Sequence, residues 1–334
     1  MKVLITGADG LLGSNLVRLL LERNYQVSVF IHPSSKSKTL DNLNIERFYG
    51  DILKEEEIEA AITKVDSIIH VAAMTNIWPA RSELVNKVNI DGTKMIIKLA
   101  LRHKLKRMVY IGSASSVNTV DTSNKYPFAA AKFGLDYIDS KYYALKAVLN
   151  AAKNDKLPAI AILPTYMIGP YDSLPSSGKM IIAIAKGKLK FFSGGGRNIV
   201  HVNDVAIAIV NALEMGKIGK YYIAGNENLS YKEFFSRVSS IVHSKAPKVR
   251  IPNWATKSFG FVLEKSAIAF HKQPMISYPM ARISCENQFA ESKEAIAELK
   301  MPQTPISVAI SECFEWFLQN GYCNKQDIIQ HEIK

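Results

Sequence analysis

The sequence predicts an α/β protein in which a doubly wound parallel sheet is joined to a smaller, mostly helical C-terminal substrate lobe. Two observations predict this fold class. Short apolar runs alternate with amphipathic helical patterns from the N-terminus to Pro164, as they do in a parallel sheet. Beyond Pro164 this alternation ends, and residues 169–178 are rich in Gly, Pro and Ser.

The N-terminal stretch predicts a strand, a glycine turn and a helix in direct succession. Residues 3–5 form an apolar run that is typical of a strand buried on both faces. Gly7, Gly10 and Gly13 suit, in that order, a tight turn, the approach of a phosphate and close packing of the helix. A glycine-rich turn without a ligand is the alternative, but the position between strand and helix favours dinucleotide binding in a Rossmann domain. The other candidate contacts in this loop are Ala8, Leu11 and Leu12.

The second predicted strand, residues 26–31, ends at His32 and is followed by a basic loop. An NAD-preferring fold usually has Asp or Glu at this point to bind the ribose 2′-hydroxyl, whereas a basic residue accommodates a 2′-phosphate. The sequence therefore favours NADP over NAD, with His32 as a candidate contact, and an ordinary surface loop is the alternative. The residues that follow, none of them acidic, include Ser34, Ser35, Lys36 and Lys38.

The next two strands supply candidate cofactor contacts at their carboxyl ends. Asp51 suits the adenine amino group, and Ile52 lies beside it. A fourth strand over residues 67–73 ends in Ala72 and Ala73, whose small side chains let a cofactor pass over the strand end. These positions extend the predicted cofactor site across the carboxyl edge of the sheet.

The remaining elements of the alternation complete the first domain. Pro164 and Met167, which follow the sixth strand, are further candidate cofactor contacts. Helices are predicted over residues 55–61 and from Val88 onward, and strands over residues 107–113 and 158–163.

The chain beyond Pro164 is predicted to form the substrate lobe, with one return to the first domain. Residues 221–225 form one further strand, and Ser230 is an expected helix N-cap with Glu233 at the capping-box position. The predicted division is a dinucleotide-binding domain of residues 1–170, to which 199–225 return, and a lobe made of residues 171–198 and 226–334.

Residues 252–280 are apolar and aromatic but also carry several lysines. They could line a hydrophobic substrate pocket or touch a membrane surface, and a helical cap over the site is the favoured interpretation. No run of about 18 uncharged apolar residues occurs, so we expect no integral membrane segment.

Composition and charge restrict the class of protein further. The 334 residues carry a net charge of +12, but the one dense basic cluster, residues 102–107, ends a helix, where cations are favourable. We therefore expect an anionic small molecule and no nucleic acid as a partner. Met1 leads directly into the first strand, and no Cys-x-x-Cys spacing occurs, so a cytoplasmic location, reduced thiols and no metal site are expected.

A serine and a Tyr-x-x-x-Lys motif carry the expected chemistry. The tyrosine of such a site is a general acid or base, and a lysine one helical turn later lowers its pKa. The motif occurs twice, as Tyr137 with Lys141 and as Tyr142 with Lys146. A step of five residues turns a helix by about 140°, so only one pair can face a cofactor. Ser113, at the end of the fifth strand, is the candidate serine.

Sequence patterns along the whole chain resemble those of one known family. The resemblance is to the extended short-chain dehydrogenase/reductases, that is, the NAD-dependent epimerase/dehydratase superfamily. Within it, the chain is most similar to the dihydroflavonol-reductase-like branch, which includes hopanoid-associated sugar epimerases. The patterns are Thr6-Gly-x-x-Gly-x-x-Gly13, Gly50-Asp51, His70-x-Ala-Ala73, Val88-Asn-x-x-Gly-Thr93, Val109-Tyr-x-x-Ser113, Val200-His-Val-x-Asp-Val205 and Glu315-Trp-Phe-x-x-Asn-Gly-Tyr322.

The resemblance implies that Tyr137 and Lys141 are the catalytic pair, together with Ser113. The family motif commonly reads Tyr-x-x-Ser-Lys, and its spacing to the proline after the next strand also fits this pair. Tyr142 and Lys146 are then packing and surface residues.

The chain departs from the common family pattern at three positions. Gly112 stands where a second serine is common, and Leu163 stands where sugar-modifying relatives often carry Arg, Asn or Phe. His32 replaces the frequent arginine of NADP-using relatives.

The resemblance implies an NAD(P)-dependent oxidoreductase, in which NADPH reduces a ketone or aldehyde and Tyr137 donates the proton. Lys141 would bind the nicotinamide ribose, and Ser113 would fix the carbonyl. An NAD-dependent nucleotide-sugar epimerase is the alternative, and a non-catalytic dinucleotide-sensing protein is a third hypothesis. Dehydration is disfavoured because residues 114–116 supply no acid. Family members are often dimers although some are monomers, and the resemblance thus implies either a homodimer or a monomer.

Overall fold

The chain is built around a seven-stranded sheet in a computed structural model that describes residues 1–36, 38–117 and 129–324. The strands are β1 Lys2–Thr6, β2 Gln26–Ile31, β3 Glu46–Tyr49, β4 Ser67–His70, β5 Arg107–Ile111, β6 Ala159–Pro164, β7 Tyr166–Ile168, β8 Phe191–Phe192, β9 Gly196–His201, β10 Tyr221–Ala224, β11 Glu227–Ser230, β12 Val249–Arg250 and β13 Asn287–Gln288. The helices are α1 Leu11–Glu22, α2 Glu55–Ile62, α3 Glu83–Asn86, α4 Gly92–Arg102, α5 Asp136–Asn154, α6 Lys179–Ala185, α7 Val202–Asn211, α8 Tyr231–Ile241, α9 Asn253–Ala269, α10 Tyr278–Ile283, α11 Lys293–Leu299 and α12 Ile306–Gln319.

The large sheet has the strand order β10-β6-β5-β4-β1-β2-β3, and neighbouring strands are parallel throughout. The order reverses between β1 and β4, which creates a crevice at their carboxyl ends. Thr6 at the end of β1 pairs with Phe30 of β2 on one side and with His70 of β4 on the other. The predicted doubly wound Rossmann sheet is confirmed.

Both faces of this sheet are covered by helices, which explains why its central strands are continuous apolar runs. One face packs against α1, α7 and α11, with Leu16, Ile209 and Leu299 fully buried. The other packs against α2, α4 and α5, with Ile58 and Val148 fully buried.

The smaller lobe combines short strands with helices α6, α8 and α12. Strands β7, β9, β11 and β13 form one small sheet, and β8 pairs with β12. Phe234 and Phe317 are buried where the three helices meet. Helix α8 begins with the predicted capping box, since Ser230 accepts the Glu233 N–H and the Glu233 carboxylate accepts the Ser230 N–H.

The predicted domain limits can be compared with the packing of the described residues. The segment expected to return to the first domain includes the end of β9, which belongs to the small sheet, and then α7 and β10, which belong to the large sheet. Helix α11 lies within the predicted lobe, but Ala295 and Leu299 are buried in the core of the large sheet. Residues 325–334 of the predicted lobe lie outside the described residues.

One helix begins earlier than predicted. The structure has α3 from Glu83, capped by the Ser82 side chain, and then a π-helical turn over Lys87–Asp91 that leads into α4. The predicted start at Val88 was wrong. The apolar periodicity that indicated a helix begins at Val88, but the N-cap, Ser82, lies six residues upstream.

Two further observations on the described residues concern membrane crossing and the cysteines. Within them, no helix combines the length and the apolar composition that crossing a membrane requires. Cys285, Cys313 and Cys323 all lie within the described residues, are buried and form no disulfide.

Candidate active site

The glycine loop has a shape that fits a pyrophosphate. Gly7 has a φ of +67°, and a Cβ there would lie 2.7 Å from the Ala72 backbone. A Cβ at Gly13 would lie 2.2 Å from the Gly7 carbonyl oxygen, so the helix rests directly on the turn. At Gly10, by contrast, the nearest atom to a Cβ would be the Gly7 carbonyl oxygen at 3.7 Å, an ordinary van der Waals contact, so a side chain there would not clash. The three glycines therefore differ. Gly7 has a left-handed backbone, Gly13 packs directly on the turn, and Gly10 could carry a side chain without a clash.

The N-terminus of α1 lies beside Gly10, and the first N–H groups of a helix have no partner within the helix itself. Gly10 is the N-cap and offers no side-chain cap, and the first intrahelical bond runs from the Ser14 N–H to the Gly10 carbonyl, at 2.9 Å. The N–H groups of Leu11, Leu12 and Gly13 precede that bond. Together with the helix dipole they provide the donor set that an anionic phosphate requires. The residues present thus fit a dinucleotide.

The loop after β2 contains both basic and acidic groups. His32 is exposed, and its Nδ1 lies 2.7 Å from the Ser34 hydroxyl. The neighbouring Ser35 hydroxyl donates a hydrogen bond to the Asp9 carboxylate of the glycine loop. Residues 32–40 contain no acid, but folding brings Asp9 to this loop.

The other candidate cofactor contacts flank the crevice. The Asp51 carboxylate accepts the Leu53 N–H at 3.0 Å, and Ile52 is buried against Gly92. Ala72 lies against Gly7, with its N–H donated to the Thr6 hydroxyl at 3.2 Å.

Two more candidates lie at the far side of the crevice. Pro164 ends β6, where it pairs with Ala224 of β10. Met167 lies in β7 of the small sheet, where it pairs with Val200 of β9. The junction between the two sheets therefore passes through both positions.

Ser113 and Tyr137 meet although they lie on different elements. Ser113 follows β5 and Tyr137 lies in the first turn of α5. Burial raises the pKa of Tyr137, whereas a hydrogen bond between the side chains of Ser113 and Tyr137 and the positive charge of Arg197 lower it. The Ser113 hydroxyl is also 2.7 Å from that of Ser115. This arrangement presents two hydroxyl donors together, as binding of a carbonyl oxygen requires.

Lys141 lies one turn after Tyr137 and is fully enclosed. Its Nζ donates to the Ile111 carbonyl at the end of β5, at 2.9 Å, and burial lowers its pKa to about 8. The same ammonium contributes to lowering the pKa of His70, which burial brings to about 3. A neutral His70 therefore links Thr6 and Thr93, with ring nitrogens 2.8 and 3.1 Å from their hydroxyls.

The second tyrosine and lysine lie on another part of α5. Lys146 is exposed, and its Nζ is 5.6 Å from the centre of the Tyr142 ring. Tyr142 packs at the edge of the small apolar cluster that contains Phe133 and Ile138. Of the two lysines, only Lys141 lies at the carboxyl end of the sheet.

Asn89 is a positioning residue that the sequence reasoning did not single out. It lies in the π-helical turn, and its side chain both donates to and accepts from the Met74 backbone, at 2.9 and 2.7 Å. The same amide donates to the Ser140 hydroxyl, which in turn donates to the Tyr137 carbonyl. Helix α5, which carries Tyr137, is thereby tied to the chain that extends β4, and π-helical turns often occur at functional sites.

Arg197 is a second residue that sequence reasoning missed. It lies in β9, with Nε donating to the Tyr231 hydroxyl at 2.8 Å and the guanidinium 5.0 Å from the centre of the Tyr166 ring. Its charge acts on Tyr137, and within the described residues no carboxylate forms an ion pair with it. Nothing in the local sequence marks an arginine after three glycines as part of a site 60 positions upstream.

Gly112 and Leu163, two of the departures from the family pattern, lie next to each other. A Cβ at Gly112 would lie 2.3 Å from a terminal methyl of Leu163, which is fully buried on the neighbouring strand. The absence of a second serine and the presence of leucine are therefore structurally coupled.

Comparisons with known proteins agree with this geometry. The sequence pattern of the NAD dependent epimerase/dehydratase family matches residues 3–225. A protein of Synechocystis sp., provisionally assigned as a dihydroflavonol 4-reductase, is 29% identical over 331 residues, which cover 96% of each chain. The sterol-4-alpha-carboxylate 3-dehydrogenase, decarboxylating, of Mus musculus is 28% identical over 333 residues, covering 95% of this chain and 83% of the mouse protein.

Solved structures show the same architecture. The crystal structure of gox2253 is similar with a TM-score of 0.83 and 30% identity, covering 97% of this chain and 99% of that one. A nucleoside-diphosphate-sugar epimerase from Pseudomonas aeruginosa has a TM-score of 0.76 at 22% identity, a likeness in fold. Relatives of this kind are oxidoreductases and epimerases, and the resemblance predicted from the sequence is confirmed. The chain belongs to the NAD-dependent epimerase/dehydratase family, within the extended short-chain dehydrogenase/reductases.

Proposed function

We propose that this protein is an NADPH-dependent reductase that converts a ketone or aldehyde into an alcohol. One observation carries the proposal: the hydroxyls of Ser113 and Tyr137 meet beside the buried Lys141, at the sheet edge that also holds the glycine loop. When bound, the nicotinamide cofactor supplies a hydride to the carbonyl carbon.

The chain's own residues would act on the carbonyl oxygen. Ser113 donates a hydrogen bond that fixes the oxygen, and Tyr137 donates the proton that turns it into a hydroxyl. Lys141, enclosed and held by the Ile111 carbonyl, places a positive charge at the end of β5 and is the candidate partner of the cofactor ribose. One ketone, one hydride and one proton thus give one alcohol and the oxidised cofactor.

The preference for NADP over NAD is supported by the loop after β2. His32 and Ser34 are exposed there and carry groups that can bind a 2′-phosphate. Lys36 and Lys38 are also exposed and add positive charge. Asp9 accepts a hydrogen bond from Ser35 and is the acid that acts against this preference.

The names of the relatives are compatible with the proposal. The Synechocystis protein carries the name of a reductase, and the mouse protein carries that of a dehydrogenase, which acts in the opposite direction. Both directions use the same proton at the same tyrosine, since reduction and oxidation share one transition state.

A binding titration with NADP⁺ and NAD⁺, followed by an assay of NADPH consumption with ketones and aldehydes, tests the proposal. We expect NADP⁺ to bind at least about 10-fold more tightly, because one charge-assisted phosphate contact is worth about 1.4 kcal/mol. Purified protein that retains NAD and converts a nucleotide sugar without net redox change would instead show an epimerase. Absence of binding of either dinucleotide would contradict the whole proposal.

Replacing Arg197 by Gln is expected to shift the pH profile of the reduction. The guanidinium favours the phenolate of Tyr137, so its removal raises the tyrosine pKa, and reduction requires the protonated tyrosine. The alkaline limb of kcat/KM should therefore move up by about 1 pH unit. Arg197→Lys retains the positive charge and should leave the pH of the alkaline limb of kcat/KM unchanged.

The control for this variant is Arg237→Gln, which removes an arginine that forms an exposed ion pair with Glu227. If Arg197→Gln lowers activity equally at every pH, Arg197 contributes only to packing or substrate binding. If both arginine variants shift the limb, the effect comes from net charge and not from contact with the site.

A further inference from the structure

The C-terminal lobe carries a helical hairpin whose large side chains point into solvent. We define the α9–α10 hairpin as residues 253–283, which comprise both helices and the connecting turn. On α9 only Thr256, Gly260 and Ala267 are buried. A Cβ at Gly260 would lie 2.4 Å from the Ala281 Cβ, so α9 packs on α10 through its small residues. Its aromatic residues are consequently left on the outside.

The exposed apolar side chains form an ordered stripe. Trp254, Phe261 and Ile268 recur every seven residues, which places them on one line along α9, and they are 74%, 49% and 51% exposed. Lys257 and Lys265 lie on opposite flanks of this stripe, and the Lys265 ammonium is 5.5 Å from the centre of the Phe261 ring. An apolar stripe with aromatic residues and flanking lysines is typical of helices that lie in a membrane interface.

Two further large apolar side chains are exposed in the turn after α9. Phe270 is 74% exposed and Met275 is 84% exposed. Exposed apolar side chains thus continue beyond the end of the helix, and exposed apolar patches mark binding sites on soluble domains.

The charge around the hairpin is strongly positive. Residues 245–285 contain one acidic residue and a net charge of +6, half of the chain's total of +12. The acidic residue, Glu264, accepts the Tyr278 N–H and so closes the hairpin. Within the described residues none of the basic side chains of this segment forms an ion pair. They are Lys245, Lys248, Arg250, Lys257, Lys265, Lys272 and Arg282.

The hairpin is continuous with the wall of the catalytic site. Ile283 of α10 packs with Phe133 and Ile138 in one apolar cluster, and Met280 and Tyr137 lie at its edge. The Arg282 guanidinium lies 5.5 Å from the centre of the Phe133 ring. A surface bound to the hairpin would therefore lie beside the segment that leads to Tyr137.

We propose that the α9–α10 hairpin docks on an anionic phospholipid bilayer, with α9 in the plane of the interface. The stripe of Trp254, Phe261 and Ile268 enters the boundary between headgroups and acyl chains, and the lysines pair with lipid phosphates and carboxylates. A nucleic acid would satisfy the lysines but not the aliphatic part of the stripe, and a second copy of the chain would bring a like charge of +6. The inference goes beyond the proposed reductase function and does not depend on it.

Flotation of the full chain with vesicles tests this inference. We compare phosphatidylcholine vesicles with vesicles that contain about one third phosphatidylserine, at low and at high salt. The expected result is binding to the anionic vesicles, weak binding to the neutral ones, and loss of binding at high salt. Brominated lipids should also quench tryptophan fluorescence in the wild type but not in Trp254→Phe.

A double variant provides the decisive comparison. Trp254→Ser with Phe261→Ser should bind anionic vesicles at least about 10-fold more weakly, because two inserted aromatic rings are lost. The matched control is Leu174→Ser, since Leu174 is as exposed as Trp254 but lies outside the hairpin. All substituted residues are exposed, and circular dichroism checks that the variants remain folded.

Three results would overturn the inference. They are equal binding of the wild type to neutral and anionic vesicles, unchanged binding of the double variant, and dimerisation through the stripe without vesicle binding. None of these outcomes affects carbonyl reduction, so a failure here is distinguishable from a failure of the proposed function.

Discussion

Replacing Tyr137 by phenylalanine is expected to lower kcat for carbonyl reduction about 1,000-fold, because the variant has no proton to donate to the carbonyl oxygen. The ring is retained, so packing against the neighbouring apolar cluster is preserved and binding of the dinucleotide should not change. The measurements are steady-state kinetics with NADPH and a titration of NADP⁺ on the same preparation. A loss in kcat with an unchanged cofactor Kd is the expected signature of a lost proton donor.

Tyr142→Phe is the matched control for this prediction. It makes the same chemical change five residues away on the same helix, at a residue that packs beside the exposed Lys146. We expect its kcat to stay within about twofold of the wild type, because the substitution keeps the ring that packs against the apolar cluster. Activity lost in Tyr142→Phe and retained in Tyr137→Phe would reverse the assignment of the two motifs.

Replacing Gly10 by valine is expected to weaken cofactor binding by about 100-fold while leaving the fold intact. Gly10 has φ −83° and ψ 175°, an extended conformation open to valine, and a Cβ there makes no contact under 3.7 Å. The new side chain would occupy the space in front of the α1 N-terminus. Losing two hydrogen bonds to a charged phosphate, at about 1.5 kcal/mol each, is worth about 3 kcal/mol.

Gly13→Ala separates this effect from a general disturbance of the loop. Its Cβ would lie 2.2 Å from the Gly7 carbonyl oxygen and 2.6 Å from the Ala8 Cα, so the turn and the helix must move apart. We expect this variant to melt at a lower temperature than the wild type, whereas Gly10→Val melts near it. If Gly10→Val binds the dinucleotide normally, the pyrophosphate does not lie at this loop.

Local patterns were sufficient to predict much of the molecule. The strands of the large sheet are continuous apolar runs because both faces are covered, and the capping box at Ser230 is visible as two residues at a fixed spacing. The start of α3 was not predictable in the same way. The cap at Ser82 is a single serine without a periodic apolar pattern behind it.

Contacts between distant segments could not be predicted. Asn89 reaches both Met74 and Ser140, and Arg197 reaches the site from a strand of the other sheet. Gly112 and Leu163 are 51 positions apart in the chain, and their fit depends on the pairing of two neighbouring strands. Each of these contacts is set by register and packing, which no local spacing encodes.

The sequence by itself determined the parallel sheet, predicted the phosphate loop and, through the resemblance to the family, indicated the candidate serine, tyrosine and lysine. It did so because hydrophobic periodicity, glycine spacing and motif spacing are local properties of a chain. Only the tertiary structure decided that Arg197 joins Tyr137, that Asp9 lies beside the basic loop, and that the aromatic residues of α9 remain in solvent. These contacts and exposures depend on which surfaces pack together when the chain folds, because that packing sets how far a side chain is buried and which charges lie near it.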